Sequence, residues 1–295
     1  MAGRVGWIGT GVMGRYMAEH LIKAGYNLAV YNRTRSKAEA LESLGAEFLP
    51  IKDLASSCDI VFTMVGYPND VEEVILGREG VLESLKPGSL IVDHTSSSPG
   101  LAMRIAEEAL KKNCLVVDAP VSGGDIGAKE GRLAIMCGGK QEAFDRAQEL
   151  MKHYGATIEL MGPPGAGQHT KLTNQIILTG NMIGMVEGLL YAHKAGLELN
   201  QMINLISTGA AGSASLKVLG PRIVRGDLNP GFYVEHFVKD LGLALEESKR
   251  LQLCLPGLAM VNQFYMSLVA NGEERLGTQA LVRALERLNN TKITP

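Results

Sequence analysis

The chain has few of the features that mark nucleic-acid-binding, membrane-spanning or metal-binding proteins. Its 29 basic residues are balanced by 31 acidic ones, so the net charge is −2 and no basic patch is indicated for nucleic acid or a membrane surface. Aromatic residues make up only 5%, which argues against stacking on exposed bases. No apolar run reaches the roughly 20 residues that a membrane-spanning helix needs. A globular protein with a small-molecule partner is expected.

Cysteine is scarce and scattered. The four cysteines lie far apart and form no CxxC pair, so neither a zinc site nor a disulfide framework is predicted: Cys58, Cys114, Cys137 and Cys254. Reduced, mostly buried thiols are expected, in the cytoplasm or in an organellar matrix after removal of a transit peptide. The first strand is predicted to begin by Arg4 or Val5, which leaves no room for a secretory signal peptide.

The first half of the chain alternates short apolar runs with helical patterns. Helices are predicted over 16–24, 37–43, 101–111 and 142–153, and strands over 4–8, 28–31, 59–65, 89–93, 114–118, 132–137 and 157–160. Continuous apolar strands separated by helices indicate βαβ units in a mainly parallel sheet that is covered on both faces. The fold class is therefore predicted as a doubly wound, Rossmann-type α/β domain, followed by an all-α domain.

The pattern changes at a Pro/Gly cluster over 163–167, which predicts a domain junction. Because 295 residues exceed one ordinary core, we expect a dinucleotide-binding domain over 1–164 and a helical substrate and oligomerisation domain over 165–295. Its helices are predicted over 169–195, 200–207, 238–251, 257–271 and 278–288. The long first helix and its surplus of apolar faces predict a homodimer or homotetramer of closed symmetry.

A glycine-rich loop follows the first predicted strand and opens a helix. It matches GxGxxG and consists of Gly9, Thr10, Gly11, Val12, Met13 and Gly14. The pattern alone is weak evidence, but this context is the one that dinucleotide binding requires. Gly9 would permit the tight turn, Gly11 would let the pyrophosphate approach the backbone, and Gly14 would allow close packing of helix on strand. The helix N-terminus would attract the phosphates.

The residues after the second strand distinguish NADP from NAD. NAD enzymes usually carry an acidic residue there for the ribose 2′-hydroxyl, whereas this chain has Asn32, Arg33 and Thr34. With no carboxylate to repel a 2′-phosphate and a guanidinium to bind it, NADP is favoured over NAD. Arg35 and Lys37 could also bind the 2′-phosphate, but they can equally be read as charged residues of a solvated helix start.

Two further segments carry groups suited to an acid substrate. Ser122, Gly123 and Gly124 follow the fifth strand, where a hydroxyl and exposed N–H groups suit a carboxylate, although a flexible turn explains the run as well. Lys171 and Asn174 share one face of the predicted helix start. Hydride transfer to a carbonyl requires a proton donor, which Lys171 would supply, while Asn174 would orient the substrate. From spacing alone, an ordinary surface lysine is the simpler interpretation.

Four segments together resemble the β-hydroxyacid dehydrogenase family, which includes 3-hydroxyisobutyrate dehydrogenase, tartronate semialdehyde reductase and the glyoxylate and succinic semialdehyde reductases. They are 5–14, 118–124, 165–174 and 239–244, and they occur in the family's order across essentially the whole chain. The resemblance implies that Lys171 is the general acid and base. It also implies that residues 122–124 hold the substrate carboxylate, with Asn174 close by.

The resemblance extends to the cofactor. It implies that Lys239 reaches the cofactor and substrate cleft from the helical domain, supported by Asp240. Thr95 corresponds to a position touching the nicotinamide ribose, and Met13 and Val65 would line the cofactor pocket.

The chain departs from the NAD-linked 3-hydroxyisobutyrate enzymes at 32–34, where it resembles the NADPH-linked glyoxylate and succinic semialdehyde reductases, so the direction of the reaction stays open. His169 and Thr170 replace small or apolar residues and receive no role. His94 is not positioned as a base, and Phe237 is as well placed for a core as for the cofactor.

The rival interpretations are an enzyme that acts on phosphogluconate or on imines, and a non-catalytic dinucleotide sensor. The presence together of the lysine, the asparagine and the Ser-Gly-Gly run argues against a sensor.

Overall fold

A computed structural model of the protein describes residues 3–293. Contacts divide the chain into two compact units, the first ending at Lys171 and the second beginning at Leu172. Among the described residues no helix has the length and apolarity to cross a bilayer.

The first unit is built on one nine-stranded sheet. Its strands are β1 (Val5–Ile8), β2 (Leu28–Tyr31), β3 (Glu47–Phe48), β4 (Ile60–Thr63), β5 (Leu90–Asp93), β6 (Leu115–Asp118), β7 (Val121–Ser122), β8 (Leu133–Gly139) and β9 (Gly155–Gly162). The order is β3-β2-β1-β4-β5-β6-β8-β7, with β9 paired to β8. Strands β1 to β6 pair in parallel, whereas β8 runs antiparallel to β6 and β7. The predicted Rossmann-type domain is confirmed.

Helices cover both faces of this sheet because its strands are apolar on both faces. They are α1 (Gly14–Lys23), α2 (Glu39–Glu42), α3 (Ile51–Ser57), α4 (Pro68–Leu76), α5 (Val81–Ser84), α6 (Pro99–Lys111), α7 (Gly124–Glu130) and α8 (Gln141–Met151). In β1, Val5 and Trp7 enter one core and Ile8 the other. The order of the strands reverses between β1 and β4, and ligands of such sheets bind at the carboxyl ends beside this point.

The second unit is helical, as predicted. Helix α9 (Ala166–Lys194) begins in the first unit and continues into the second, and it is followed by α10 (Leu199–Ile206), α11 (Ala214–Val224), α12 (Val234–Arg250), α13 (Pro256–Ala270) and α14 (Leu281–Leu288). One apolar core joins these helices. Phe237 lies inside it with 0% exposure, and its ring meets Tyr265 edge to face at 4.9 Å. Of its two open interpretations, the structure therefore supports the core.

The structure adds elements that the sequence pattern did not indicate. The segment over 118–124 contains strand β7 and the start of α7, neither of which was predicted. The division between the units falls within α9, a few residues later than the expected boundary at 164/165. The first turn of α9 stays with the first unit because it is hydrogen-bonded to the sheet, as described below.

Candidate active site

The glycine-rich loop joins β1 to α1 at the point where the strand order reverses. Gly9 has φ +96°, and a Cβ there would stand 2.1 Å from the carbonyl oxygen of Met64. A Cβ on Gly14 would stand 2.0 Å from the carbonyl oxygen of Gly9, so the helix packs closely on the turn. A Cβ on Gly11 would meet nothing within 4 Å. Open space at Gly11 beside a helix N-terminus fits a dinucleotide pyrophosphate.

The residues expected to hold the adenine ribose differ in how they are placed. The amide oxygen of Asn32 accepts from Thr10 N at 3.0 Å and its Nδ2 donates to the carbonyl oxygen of Thr34 at 2.9 Å, so Asn32 stabilises the glycine loop. Arg33 is exposed over 88% of its side chain and makes a long contact of 3.4 Å with Asp70. Its guanidinium is accessible to a ligand. Val12 is also exposed, at 52%, while Thr10 is buried.

Thr95 and Val65, both expected near the nicotinamide, contact each other. Val65 N donates to the hydroxyl of Thr95 at 3.0 Å, and Thr95 N donates to the carboxylate of Asp93 at 3.0 Å. Thr63 at the end of β4 donates to the same carboxylate oxygen at 2.7 Å. The loops after β4 and β5 are thereby bonded at one edge of the sheet. Met13 caps α1 without a side-chain hydrogen bond.

The Ser-Gly-Gly run connects β7 to α7. Ser122 pairs with Ala134 of β8, while Gly123 and Gly124 have φ values of +135° and +65° that favour glycine. A substitution at either glycine would therefore strain the turn. Backbone N–H groups of the run therefore stand at the start of helix α7.

Asp118, at the end of β6, caps helix α9. Its two carboxylate oxygens accept from Gly165 N and Gln168 N, each at 2.8 Å. Burial raises the pKa of Asp118 to about 7, while the two N–H donors act to lower it. Gly167 is needed here because a Cβ would stand 2.4 Å from the carbonyl oxygen of Asp118. The cap and the glycine place the first turn of α9 directly against the sheet.

Lys171 lies on that part of α9 and is only 7% exposed. Its Nζ donates to the carbonyl oxygen of Val121 at 2.9 Å, within the first unit. Val121 directly precedes Ser122. The surface-lysine interpretation is therefore wrong: burial and a fixed hydrogen bond are not features of a solvated lysine.

In the second unit, a residue that the sequence did not single out, Gln175, links Asn174 to the pair formed by Lys239 and Asp240. Asn174 Nδ2 donates to Gln175 Oε1 at 2.7 Å, and Gln175 Nε2 donates to Asp240 Oδ2 at 2.6 Å. The ammonium of Lys239 lies 3.2 Å from Asp240 Oδ1. Gln175 is 1% exposed. The sequence signal that could have identified it is a glutamine within an apolar helix, because a buried amide needs hydrogen-bond partners.

His94 is part of the interior. Its ring is stacked 5.6 Å from Phe62 and 5.9 Å from Trp7. Nδ1 lies 2.6 Å from the carbonyl oxygen of Ala119, which can only accept, so Nδ1 carries the proton and Nε2 accepts from the hydroxyl of Tyr154 at 2.9 Å. Burial lowers the pKa of His94 to about 4, so the ring is neutral near pH 7.

Within residues 3–293, no group of three or more histidine, cysteine, aspartate or glutamate side chains could hold a metal ion. Cys58, Cys114 and Cys137 are buried free thiols and Cys254 is an exposed one.

Two family models match the chain in succession. Residues 4–162 match the NAD binding domain of 6-phosphogluconate dehydrogenase, and residues 165–285 match the NAD-binding domain of NADP-dependent 3-hydroxyisobutyrate dehydrogenase. The two matches meet at the Pro/Gly cluster that leads into α9.

Curated relatives align over almost the whole chain. A probable 3-hydroxyisobutyrate dehydrogenase-like protein 1, mitochondrial, of Arabidopsis thaliana is 53% identical over 98% of this chain and 87% of its own length. The 2-hydroxy-3-oxopropionate reductase of Escherichia coli (strain K12) is 39% identical over 98% of this chain and 99% of its own.

Solved structures agree in fold. The 3-hydroxyisobutyrate dehydrogenase of Mycobacterium tuberculosis, solved with L-serine, superposes with a TM-score of 0.88 at 25% identity, covering 97% of this chain and 99% of that one. Psf3, solved with NADP+ and 2-OPP, gives a TM-score of 0.87 at 25% identity, covering 95% of this chain and 99% of that one. An imine reductase from Pseudomonas sp., at 20% identity and a TM-score of 0.61, over 97% of this chain and 100% of that one, shares the fold alone.

Proposed function

Because the chain belongs to the β-hydroxyacid dehydrogenase family of NAD(P)-dependent oxidoreductases, we propose that it interconverts a small 3-hydroxy acid and its semialdehyde. The observation that carries the proposal is the buried Lys171, whose Nζ is hydrogen-bonded to Val121, the residue before the Ser-Gly-Gly run. This bond ties the Lys171 amine to the residue before groups suited to a carboxylate, which supports its proposed role as proton donor.

Lys171 is the general acid and base of the proposed reaction. The bound nicotinamide supplies the hydride in reduction and accepts it in oxidation. As negative charge builds on the carbonyl oxygen of the substrate, Lys171 Nζ donates a proton to it; in oxidation, Nζ takes the proton of the hydroxyl group. In this proposal the Ser122 hydroxyl and the N–H groups of Gly123 and Gly124 bind the substrate carboxylate, and Asn174 and Lys239 are further ligands of substrate oxygens. Burial of Lys171 keeps water from competing for its proton.

The cofactor is proposed to bind at the glycine loop and at the end of β2. Open space at Gly11 receives the pyrophosphate, and the accessible guanidinium of Arg33 binds a 2′-phosphate. Asn32 and Thr34 shape the loop that presents Arg33, and Thr95 and Val65 border the nicotinamide. This arrangement favours NADPH over NADH, and NADPH in turn favours the reductive direction, as in a glyoxylate or succinic semialdehyde reductase.

A turnover assay tests both levels of the proposal. The absorbance of reduced nicotinamide is followed with NADPH or NADH against glyoxylate and the succinic, methylmalonic and tartronic semialdehydes. The reverse reaction uses 3-hydroxyisobutyrate with NADP+ or NAD+. Consumption of NADPH that is lost in Lys171→Ala is the expected result. Oxidation of 3-hydroxyisobutyrate with NAD+ alone would overturn the NADPH assignment. Absence of turnover with every pair, despite cofactor binding, would favour a dinucleotide sensor.

We also infer self-association through the helical unit. Large apolar side chains are exposed there, among them Ile177 at 61%, Tyr191 at 77% and Leu205 at 74%. Exposed apolar surface of this kind is typical of protein interfaces. A homodimer or homotetramer is expected in sedimentation at micromolar concentration, and a monomer would contradict the inference.

A further inference from the structure

Gln168 bonds the start of helix α9 to the ends of two strands. The side chain is fully buried, at 0% exposure. Its Nε2 donates to the carbonyl oxygen of Thr95 at 2.8 Å, and its Oε1 accepts from Ser97 N at 2.9 Å. Its backbone N–H donates to the Asp118 carboxylate at 2.8 Å. The residue therefore contacts the loop after β5 through its side chain and the end of β6 through its backbone.

Both ends of a buried amide must be satisfied together. If either bond to the loop over 95–97 were lost, a buried polar group would stay without a partner, which is costly in a low-dielectric interior. Gln168 precedes Lys171 by three residues, which places the two on one face of a rigid helix. Fixing Gln168 against the loop therefore fixes the backbone from which Lys171 extends to Val121.

The loop that Gln168 contacts also carries Thr95, a residue proposed to border the nicotinamide. Reduction of an aldehyde places a hydride on the carbonyl carbon and a proton on the adjacent oxygen. The proton donor and the nicotinamide side of the site must therefore keep their separation to a fraction of an ångström, because a misplacement of about 1 Å costs roughly 10²-fold in rate.

We propose that Gln168 is a positioning residue: it fixes the position of Lys171 relative to the nicotinamide side of the site. This role rests on the proposed function of Lys171. With 0% exposure, the Gln168 side chain offers no accessible surface to the substrate or the reacting atoms. It acts through two hydrogen bonds to the loop over 95–97, which hold the first turn of α9 in register with the end of β5.

Two substitutions separate this role from simple packing. Gln168→Met preserves the length and the approximate volume of the side chain but removes its hydrogen bonds to Thr95 and Ser97. Gln168→Glu keeps an acceptor for Ser97 N, and when protonated it also donates to Thr95. Thr170→Val is the matched control: it removes the 2.8 Å bond from the Thr170 hydroxyl to the carbonyl oxygen of Ala166 in the same turn, without touching the loop.

For Gln168→Met we expect kcat to fall by roughly 10²-fold, with KM and the affinity for NADPH within about threefold of the wild type. Thr170→Val should keep the kcat of the wild type. Gln168→Glu should regain kcat as the pH is lowered and the glutamate is protonated, a recovery that Gln168→Met cannot show. If Gln168→Met does not fold, the recovery of Gln168→Glu decides the question.

Backbone hydrogen exchange gives a readout without turnover. In Gln168→Met, exchange should accelerate over 95–98 and in the first turn of α9, and stay unchanged there in Thr170→Val. If Lys171→Met turns over like the wild type, the proposed function fails, whatever Gln168 does. If Lys171→Met is inactive while Gln168→Met keeps the kcat of the wild type, or loses no more than Thr170→Val, the positioning role is overturned.

Discussion

The Lys171 ammonium and the carbonyl oxygen of Val121 are joined by a 2.9 Å hydrogen bond inside the first unit, one residue before Ser122. Lys171→Met should lower kcat by about 10²- to 10⁴-fold, because the proposed proton donor is lost. Lys171→Arg should be similarly inactive, since a guanidinium keeps its proton at neutral pH. Steady-state turnover with parallel NADPH titration measures this; strong activity of the arginine variant would leave only an electrostatic role for the lysine.

Two alanine substitutions in the glycine loop should separate binding from folding. At Gly11 a Cβ meets nothing, so Gly11→Ala should unfold at the temperature of the wild type yet bind NADPH weakly, because the methyl group takes space for the pyrophosphate. At Gly14 a Cβ would stand 2.0 Å from the carbonyl oxygen of Gly9, so Gly14→Ala should lose stability itself. Thermal unfolding and cofactor titration of both variants test the contrast. If Gly11→Ala bound NADPH as tightly as the wild type, the pyrophosphate could not lie against Gly11.

Cofactor preference should depend on Arg33. Arg33→Ala is expected to raise the KM for NADPH by about 10- to 100-fold, the effect of losing a charged hydrogen bond worth roughly 1.5–3 kcal/mol, and to leave the KM for NADH unchanged. Arg35→Ala is the control, because the Arg35 guanidinium already lies 4.7 Å from the Phe48 ring centroid and 3.2 Å from Glu42. Equal effects of Arg33→Ala on both cofactors would exclude a contact with the 2′-phosphate.

His94 and Asp118 should give opposite dependences of stability on pH. Burial lowers the pKa of His94 from 6.5 to about 4, so its contribution to stability is lost as the pH falls through that interval. Burial raises the pKa of Asp118 from 3.8 to about 7, so its contribution is lost as the pH rises through an overlapping interval.

The two opposing contributions can be separated by substitution. His94→Gln should leave a free energy of unfolding that falls from pH 4 to 7, and Asp118→Asn one that rises, while the wild type changes less than either. Chemical denaturation at a series of pH values measures all three. If the free energies of unfolding of the two variants changed with pH in the same way, the opposite contributions of His94 and Asp118 would be disproved.

Gln175 should support Asn174 and Lys239 through Asp240. Gln175→Met removes the bonds to Asn174 and Asp240 and keeps an unbranched side chain of similar length. We expect a higher KM for the acid substrate, by about 10-fold for one lost charged hydrogen bond, with the affinity for NADPH less affected. Substrate and cofactor titrations test this. Gln201→Met, on the exposed face of α10, is the control, and an equal effect there would exclude a role for Gln175.

The sequence predicted those elements that are long or continuously apolar. Strands β1, β2, β4, β5 and β6 were found because each is a run of buried apolar residues, and α9 because its helical pattern is uninterrupted. The short helices α3, α4, α5 and α7 were missed because a few residues give no clear period. Helix α11 was missed because it contains Pro221, which a sequence pattern treats as a helix breaker. Strand β7 forms only by pairing with β8.

The types of the proposed site residues were predictable, but their supporting bonds were not. Lys171 and the Ser-Gly-Gly run follow from motif and resemblance. Asp118 bonds to Gly165 across 47 positions and Gln168 to Ser97 across 71. Such pairs depend on which strand ends are neighbours in the sheet, and this order is set by the packing of the crossovers rather than by local sequence. The bonding of Asn32 to the glycine loop was hidden for the same reason.

Helix α9 is one continuous element, yet its first turns belong to the sheet-based unit and the rest to the helical unit. This has a consequence for how the gene can recombine. A crossover between two relatives at the Pro/Gly cluster would combine Asp118 and Val121 of one parent with Gln168 and Lys171 of the other. A crossover just after Lys171 would take this lysine, the Asp118 cap of α9 and the loop over 95–97 from the same parent. Chimaeric enzymes joined at the later point should therefore retain turnover more often than those joined at the cluster.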